Sequence, residues 1–238
     1  MPEFTEELHE QHAGAQPFPH SALDGLWEED TLHKILEEWP DDNNPHWYKK
    51  SRPHTYKWAM NRFEGMGPNT IKFLHHLNSP EIVTWLENLT GIPGLVADPG
   101  LEGGGLHYIP IGGYLKMHSD FNWHPGLQMR RRVNVLIYLN ENWEENCKGI
   151  LELWNVPMTE CIQSVPPAFN RTVVFNTTSN SFHGHPDPSG AVRKSLATYY
   201  YSRDPVENQH GTLYQKRPGE EFLTLEEQAG GVYNGPNA

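Results

Sequence analysis

Apolar positions along the chain change their period about a third of the way in. Leu32, Ile35, Leu36 and Trp39 recur at i, i+3, i+4 and i+7, which predicts an amphipathic helix over 31–39 that stops before Pro40. A second helix is predicted over 80–89, with Ser79 as N-cap, Pro80 in the first turn and Gly91 closing the end. Its Ile82, Leu86 and Leu89 would face the core. Residues 1 to about 25 carry no periodicity and predict a loose arm or an irregular edge. Residues 40–70, rich in Asn, Pro, Lys and aromatics, read as loop.

Beyond Gly91 the helical period disappears. Short apolar runs at 106–111, 114–117, 133–139, 150–154, 172–175 and 195–201 alternate with Gly, Pro and Asn clusters. That order predicts a mainly β fold, a barrel or sandwich flanked on one side by helices. The whole reads as one domain: a helical and irregular part over 1–100, a β core over about 101–204, and a peripheral segment over 205–238. Within 133–139, alternation puts Val133, Val135, Ile137 and Leu139 on one face, and Asn134, Leu136 and Tyr138 on the other. One aliphatic and one mixed polar face suit a barrel strand whose inner wall lines a ligand cavity.

Charge narrows the partners. Eighteen Lys and Arg against thirty Asp and Glu give a net charge of −12, a field that repels nucleic-acid backbones and leaves Arg130–Arg131–Arg132 a solvated or structural role. No apolar stretch approaches the ~20 residues of a membrane helix. Two cysteines, Cys147 and Cys161, make no disulfide framework and suit a reducing compartment. The expectation is a soluble, cytoplasmic protein with a peptide or small-molecule substrate and with neither nucleic acid nor membrane as partner.

Fourteen histidines are the compositional oddity. His118 and Asp120 lie two apart, on one face of an extended chain, and an imidazole beside a carboxylate suits a divalent transition metal. His185 and Asp187 repeat the spacing, but among Pro186 and Pro188 in a turn. A distal imidazole for the first pair is offered by both His183 and His185. The prolines pull His185 toward the loop, which favours His183 and leaves His185 substrate-facing or exposed. Arg193, ten residues on, is a natural partner for a carboxylate. Phe121 and Trp123, just past Asp120, are candidates for a substrate wall. Of Tyr199, Tyr200 and Tyr201, at most two can reach the cavity.

Together these residues resemble the iron(II)- and 2-oxoglutarate-dependent dioxygenases, within them the prolyl 4-hydroxylase-like group. The likeness is carried by HYIPIGGYLKMHSD, RRVNVLIYLNENW, GILELW, NRTVVFNTTSNSFHG and RKSLATYY, in family order from about 106 to 201. Lys148–Gly149–Ile150 departs from the family pattern at a local turn. The resemblance implies a double-stranded β-helix (jelly-roll) core with Fe(II), 2-oxoglutarate and O2. It implies His118, Asp120 and His183 as metal ligands, and Arg193 with Tyr138 on the distal carboxylate of 2-oxoglutarate. Tyr108 and Asn134 stand at positions near the co-substrate. The implied reaction hydroxylates an unactivated C–H bond, of a prolyl residue or proline-like substrate, as 2-oxoglutarate becomes succinate and CO2. Asp120 distinguishes this from halogenating relatives, which lack that carboxylate. The competing readings are a jelly-roll module that binds metal or ligand without turnover, a hydroxylase of a non-prolyl small molecule, and a cupin-type site using His183 with His185.

Overall fold

The structure, a computed structural model, describes residues 4–206 and 208–221. Four α-helices come mostly first: α1 (Glu6–Gly14), α2 (Glu29–Glu37), α3 (Pro68–Leu77) and α4 (Pro80–Thr90). Among them lie β1 (His20–Asp24), β2 (Tyr48–Arg52) and β3 (Thr55–Met60). The strand-dense block follows with β4 (Val96–Ala97), β5 (Gly105–Ile109), β6 (Tyr114–Ser119), β7 (Trp123–His124), β8 (Met129–Tyr138), β9 (Leu151–Trp154), β10 (Cys161–Val165), β11 (Arg171–Asn176), β12 (His183–His185), β13 (Arg193–Ser202) and β14 (Leu213–Tyr214). Paired strands run in the order β1-β11-β8-β13-β5-β3-β6-β12-β9-β10, and every pairing of these strands is antiparallel. The result is the expected jelly-roll barrel, nearly closed.

The aliphatic face of β8 packs outward. Val133, Val135, Ile137 and Leu139 share one core with Leu32 and Ile35 of α2, Leu74 of α3, and Leu86 and Leu89 of α4. The helices are therefore a buttress on the barrel's outer wall. Both predicted helices form, and α4 has the predicted ends: the Ser79 hydroxyl accepts from the Ile82 amide, and Gly91 closes the helix at φ 68°. A smaller core of Leu151, Leu153, Val173, Phe175 and Tyr138 fills the barrel's inside.

Two expectations fail for identifiable reasons. The loose arm over 1–25 contains α1, whose low apolar content hid it; His12 alone of this helix is buried, bonded to Ser21 and Asn176. The loop over 40–70 contains β2, β3 and the start of α3. There β3 pairs with both β5 and β6, and long-range pairing supplies the order that local sequence does not. The segment over 205–238 adds one short strand, β14, which pairs with β6 beside His118; residues 222–238 of that segment lie outside the described residues.

Gly105 is where β3 and β5 come closest. It has φ +85°, and a Cβ there would collide with the Met60 carbonyl oxygen. Gly105→Ala is expected to cost about 2 kcal/mol of strain and displaced pairing, lowering the melting temperature by roughly 5 °C in a thermal scan.

Candidate metal centre and co-substrate chamber

Antiparallel register builds the centre. His183 of β12 pairs directly with His118 of β6, and their rings lie 4.4 Å apart between centroids. Asp120 follows the end of β6 and turns back between them, 3.5 Å from His118 Nε2 through Oδ1 and 3.4 Å from His183 Nε2 through Oδ2. One ligand atom from each of the three lies within 4.8 Å of the others. Each imidazole donates its Nδ1–H to a backbone carbonyl two residues earlier, His118 to Lys116 and His183 to Ser181, both at 2.9 Å. A carbonyl only accepts, so these bonds fix the tautomer and leave both Nε2 lone pairs facing Asp120.

The carboxylate is held from behind. Its Oδ2 accepts from Arg131 Nη2 at 3.0 Å and from Asn134 Nδ2 at 2.7 Å, while Arg131 Nε donates to Asn134 Oδ1 at 2.8 Å. Burial alone would raise the Asp120 carboxyl, but the Arg131 guanidinium beside it holds it well below the usual carboxylate range. Oδ1 is left for an ion. Two neutral imidazoles and one ionised carboxylate, one side open, form the donor set that suits a six-coordinate iron(II) with free positions.

Deeper in the barrel, Arg193 and Tyr138 are both buried, and the Arg193 Nη2 donates to the Tyr138 hydroxyl at 3.0 Å. The Arg193 Nε is buried with no hydrogen-bond partner. A buried guanidinium N–H left without a partner is what a carboxylate would satisfy, so these residues fit a keto-diacid.

One expected co-substrate position needs correction. Tyr108 does not reach the chamber. Strand alternation in β5 turns it to the helix side, stacked 4.8 Å from the Trp58 ring, and the inner place goes to its neighbour His107, whose Nε2 meets the Gly103 carbonyl at 3.0 Å. Asn134 stands beside the centre, as expected, its amide donating to Asp120 and accepting from Arg131. His185 is not a loop residue: it is buried in β12, its Nδ1 unpartnered, and burial, Arg193 and Lys57 keep its imidazole neutral. It does not join the three clustered groups. Tyr199 and Tyr201 share the inner face with Arg193, while Tyr200 turns to the helices and bonds the Leu77 carbonyl.

Arg131 escaped the sequence reading because of a bulge. Alternation from Asn134, Leu136 and Tyr138 would turn Arg132 inward and Arg131 outward. Register jumps between Tyr200, opposite Val133, and Tyr201, opposite Arg131, and the extra residue reverses the two. Arg131 ends almost fully buried, its guanidinium 3.4 Å from the Tyr199 ring centroid and 4.5 Å from that of Phe121. Phe121 also lines a cavity of about 410 Å³ that opens beside Asp120, which agrees with a substrate wall; Trp123 pairs with Arg130 at its side.

Residues 104–201 match the family described as the 2OG-Fe(II) oxygenase superfamily. No curated protein matches the chain. Among solved structures, a Pseudomonas putida prolyl-4-hydroxylase is similar with a TM-score of 0.60 and 16% identity, over 83% of this chain and 98% of that one. A Trichoplax adhaerens prolyl hydroxylase, solved in complex with a hypoxia inducible factor peptide fragment, has a TM-score of 0.58 at 17% identity, over 82% and 87%. HygX from Streptomyces hygroscopicus, solved with nickel, 2-oxoglutarate and hygromycin B, has a TM-score of 0.52 at 11% identity, over 84% and 88%. At such identities these likenesses concern the fold. No helix among the described residues is long and apolar enough to cross a membrane. The β core of this chain thus matches the 2OG-Fe(II) oxygenase superfamily over residues 104–201, and its architecture is that of the solved oxygenases.

Proposed function

We propose that the protein is a 2-oxoglutarate-dependent hydroxylase whose acceptor is a prolyl residue or a proline-like molecule. His118 and His183 hold Fe(II) through Nε2, Asp120 holds it through Oδ1, and Arg193 with Tyr138 takes the distal carboxylate of the keto acid. The observation that carries this reading is the pair of fixed imidazole tautomers facing one clamped carboxylate, with an unpartnered guanidinium deeper in the same barrel. When bound, Fe(II), 2-oxoglutarate and O2 supply oxidative decarboxylation coupled to insertion of one oxygen atom into a C–H bond. The chain's own residues do the rest. Histidine–carbonyl bonds orient the ligands, Arg131 and Asn134 keep Asp120 ionised and aimed, and Phe121 and Tyr199 wall the site from water. The prolyl part rests on likeness to the prolyl hydroxylases named above.

Anaerobic addition of Fe(II) and then 2-oxoglutarate should give a weak visible charge-transfer band, and in air succinate should form slowly without acceptor. A fully iron-loaded protein that shows neither, yet still binds 2-oxoglutarate, is a binding module and ends this reading. Arg193→Ala removes a charge-assisted pair and is expected to raise the 2-oxoglutarate concentration for half-maximal succinate formation by about 10- to 100-fold. An unchanged value would place the distal carboxylate elsewhere.

A further inference from the structure

The inner face of the β2–β3 hairpin carries two lysines that nothing above uses. Lys50 and Lys57 pair directly across the hairpin and so share a face. Trp58, next to Lys57, stacks on Tyr108 on the helix side, so alternation turns Lys57 the other way, into the barrel. Cross-strand register gives its neighbours. Trp58 opposes Tyr108 and Ala59 opposes His107, which brings Lys57 level with Ile109, and Ile109 opposes Arg193. Lys57 therefore stands two strands from Arg193 on the chamber wall, and Asp120, Arg131 and Arg193 all lie close enough to bear on its ammonium.

Among the described residues the Lys57 side chain has neither a hydrogen bond nor an ion pair, and Asp120, the carboxylate that bears on it, is already clamped by Arg131 and Asn134. Desolvation and Lys50 push its ammonium down to about 7, as befits a half-buried cation without a counter-ion. Charge matching sharpens the point. With a ferrous ion and 2-oxoglutarate bound, the charges of the ion, Arg131, Arg193 and Lys57 would outnumber those of Asp120 and the two carboxylates of the keto acid. Lys57 then adds to a local positive excess, in a protein whose net charge is −12. At the outer end of the same face, Lys50 lies 5.1 Å over the exposed Tyr48 ring, so the cationic face runs from the rim inward.

We propose that Lys57 is an acceptor-binding residue that selects substrates carrying a carboxylate near the C–H bond to be oxidised. This rests on the function proposed above. The same carboxylate chemistry has two sources, a free amino or imino acid and an acidic side chain of a peptide, and the test separates them.

The full chain is loaded with Mn(II) and 2-oxoglutarate, and paramagnetic broadening of probe proton signals reports binding beside the metal. One pair of probes is L-proline and L-prolinamide; the other is the N-acetylated, C-amidated dipeptide Glu-Pro and its Gln-Pro counterpart. In at least one pair the acid should broaden at a concentration at least about tenfold lower than the amide. Lys57→Gln should erase that preference, Lys57→Arg should keep most of it, and calorimetric 2-oxoglutarate affinity in both variants should stay within about twofold. No acid preference in either pair, or one that survives Lys57→Gln, overturns the proposal. A tenfold loss of 2-oxoglutarate affinity in Lys57→Gln also overturns it, by assigning the lysine to the co-substrate. Failure of the underlying function shows separately, as the absence of any 2-oxoglutarate heat in the unaltered metal-loaded protein.

Discussion

His183→Ala is expected to strip the protein of stoichiometric iron and to lower succinate formation from 2-oxoglutarate by more than about 1000-fold. Outer-shell changes at metal sites alone cost 10- to 100-fold, and His183 is itself one of three proposed ligands. The cause is local and testable apart from folding. His183 Nδ1 is bonded to the Ser181 carbonyl, and β12 is paired on both sides, with β6 and β9, so truncation leaves the strand in place and removes one lone pair. Circular dichroism should be unchanged while metal analysis falls. His185→Ala is the matched control: its ring stands one turn of the pleat away on the same strand but outside the cluster, so iron should remain near one equivalent. If His185→Ala loses the iron as His183→Ala does, the cupin-type pairing is right; if His183→Ala keeps it, the centre described above is wrong.

How much of this centre was legible beforehand depended on whether the signal was local. His118 and Asp120 announce themselves by a spacing of two on an extended run, and the 133–139 strand by its alternation, which the fold keeps residue for residue from Val133 to Leu139. The distal imidazole and Arg193 were reachable through the family resemblance and not through pairing, since β12 pairs with β6 and β9 and β13 with β5 and β8. Tyr108 misled by a single position: a strand reverses its faces at each residue, and His107 took the inner place. Lys57 lay in a segment with no period of its own, made a strand only by pairing with β5 and β6. Arg131 was hidden by a bulge that local sequence does not encode. What sequence pattern conveys is the face within an unbroken strand; where strands bend, swell or cross between neighbours, the pairing partner decides.

Arg131 is accordingly where the largest unforeseen stability effect is expected. In metal-free protein, Arg131→Ala should lower the melting temperature by about 10 °C, from roughly 3–5 kcal/mol lost when one member of a buried ion pair is removed. The guanidinium is almost wholly buried, donates to both Asp120 and Asn134, and lies against Tyr199 and Phe121. Truncation leaves three consequences at once: a buried carboxylate with only Asn134 to hold it, an Asn134 oxygen without its donor, and a void between two rings. The charge imbalance should dominate, and a double-mutant cycle separates it from the void. Asp120→Asn removes the charge that Arg131 neutralises, so the pair of substitutions together should cost less than the sum of the two alone by about 1–3 kcal/mol. Strict additivity would show that the packing against Tyr199 and Phe121, and not the ion pair, is what Arg131 supplies. Arg131→Lys should recover little, because an ammonium cannot span Asp120 Oδ2 and Asn134 Oδ1 from one planar fork as the guanidinium does.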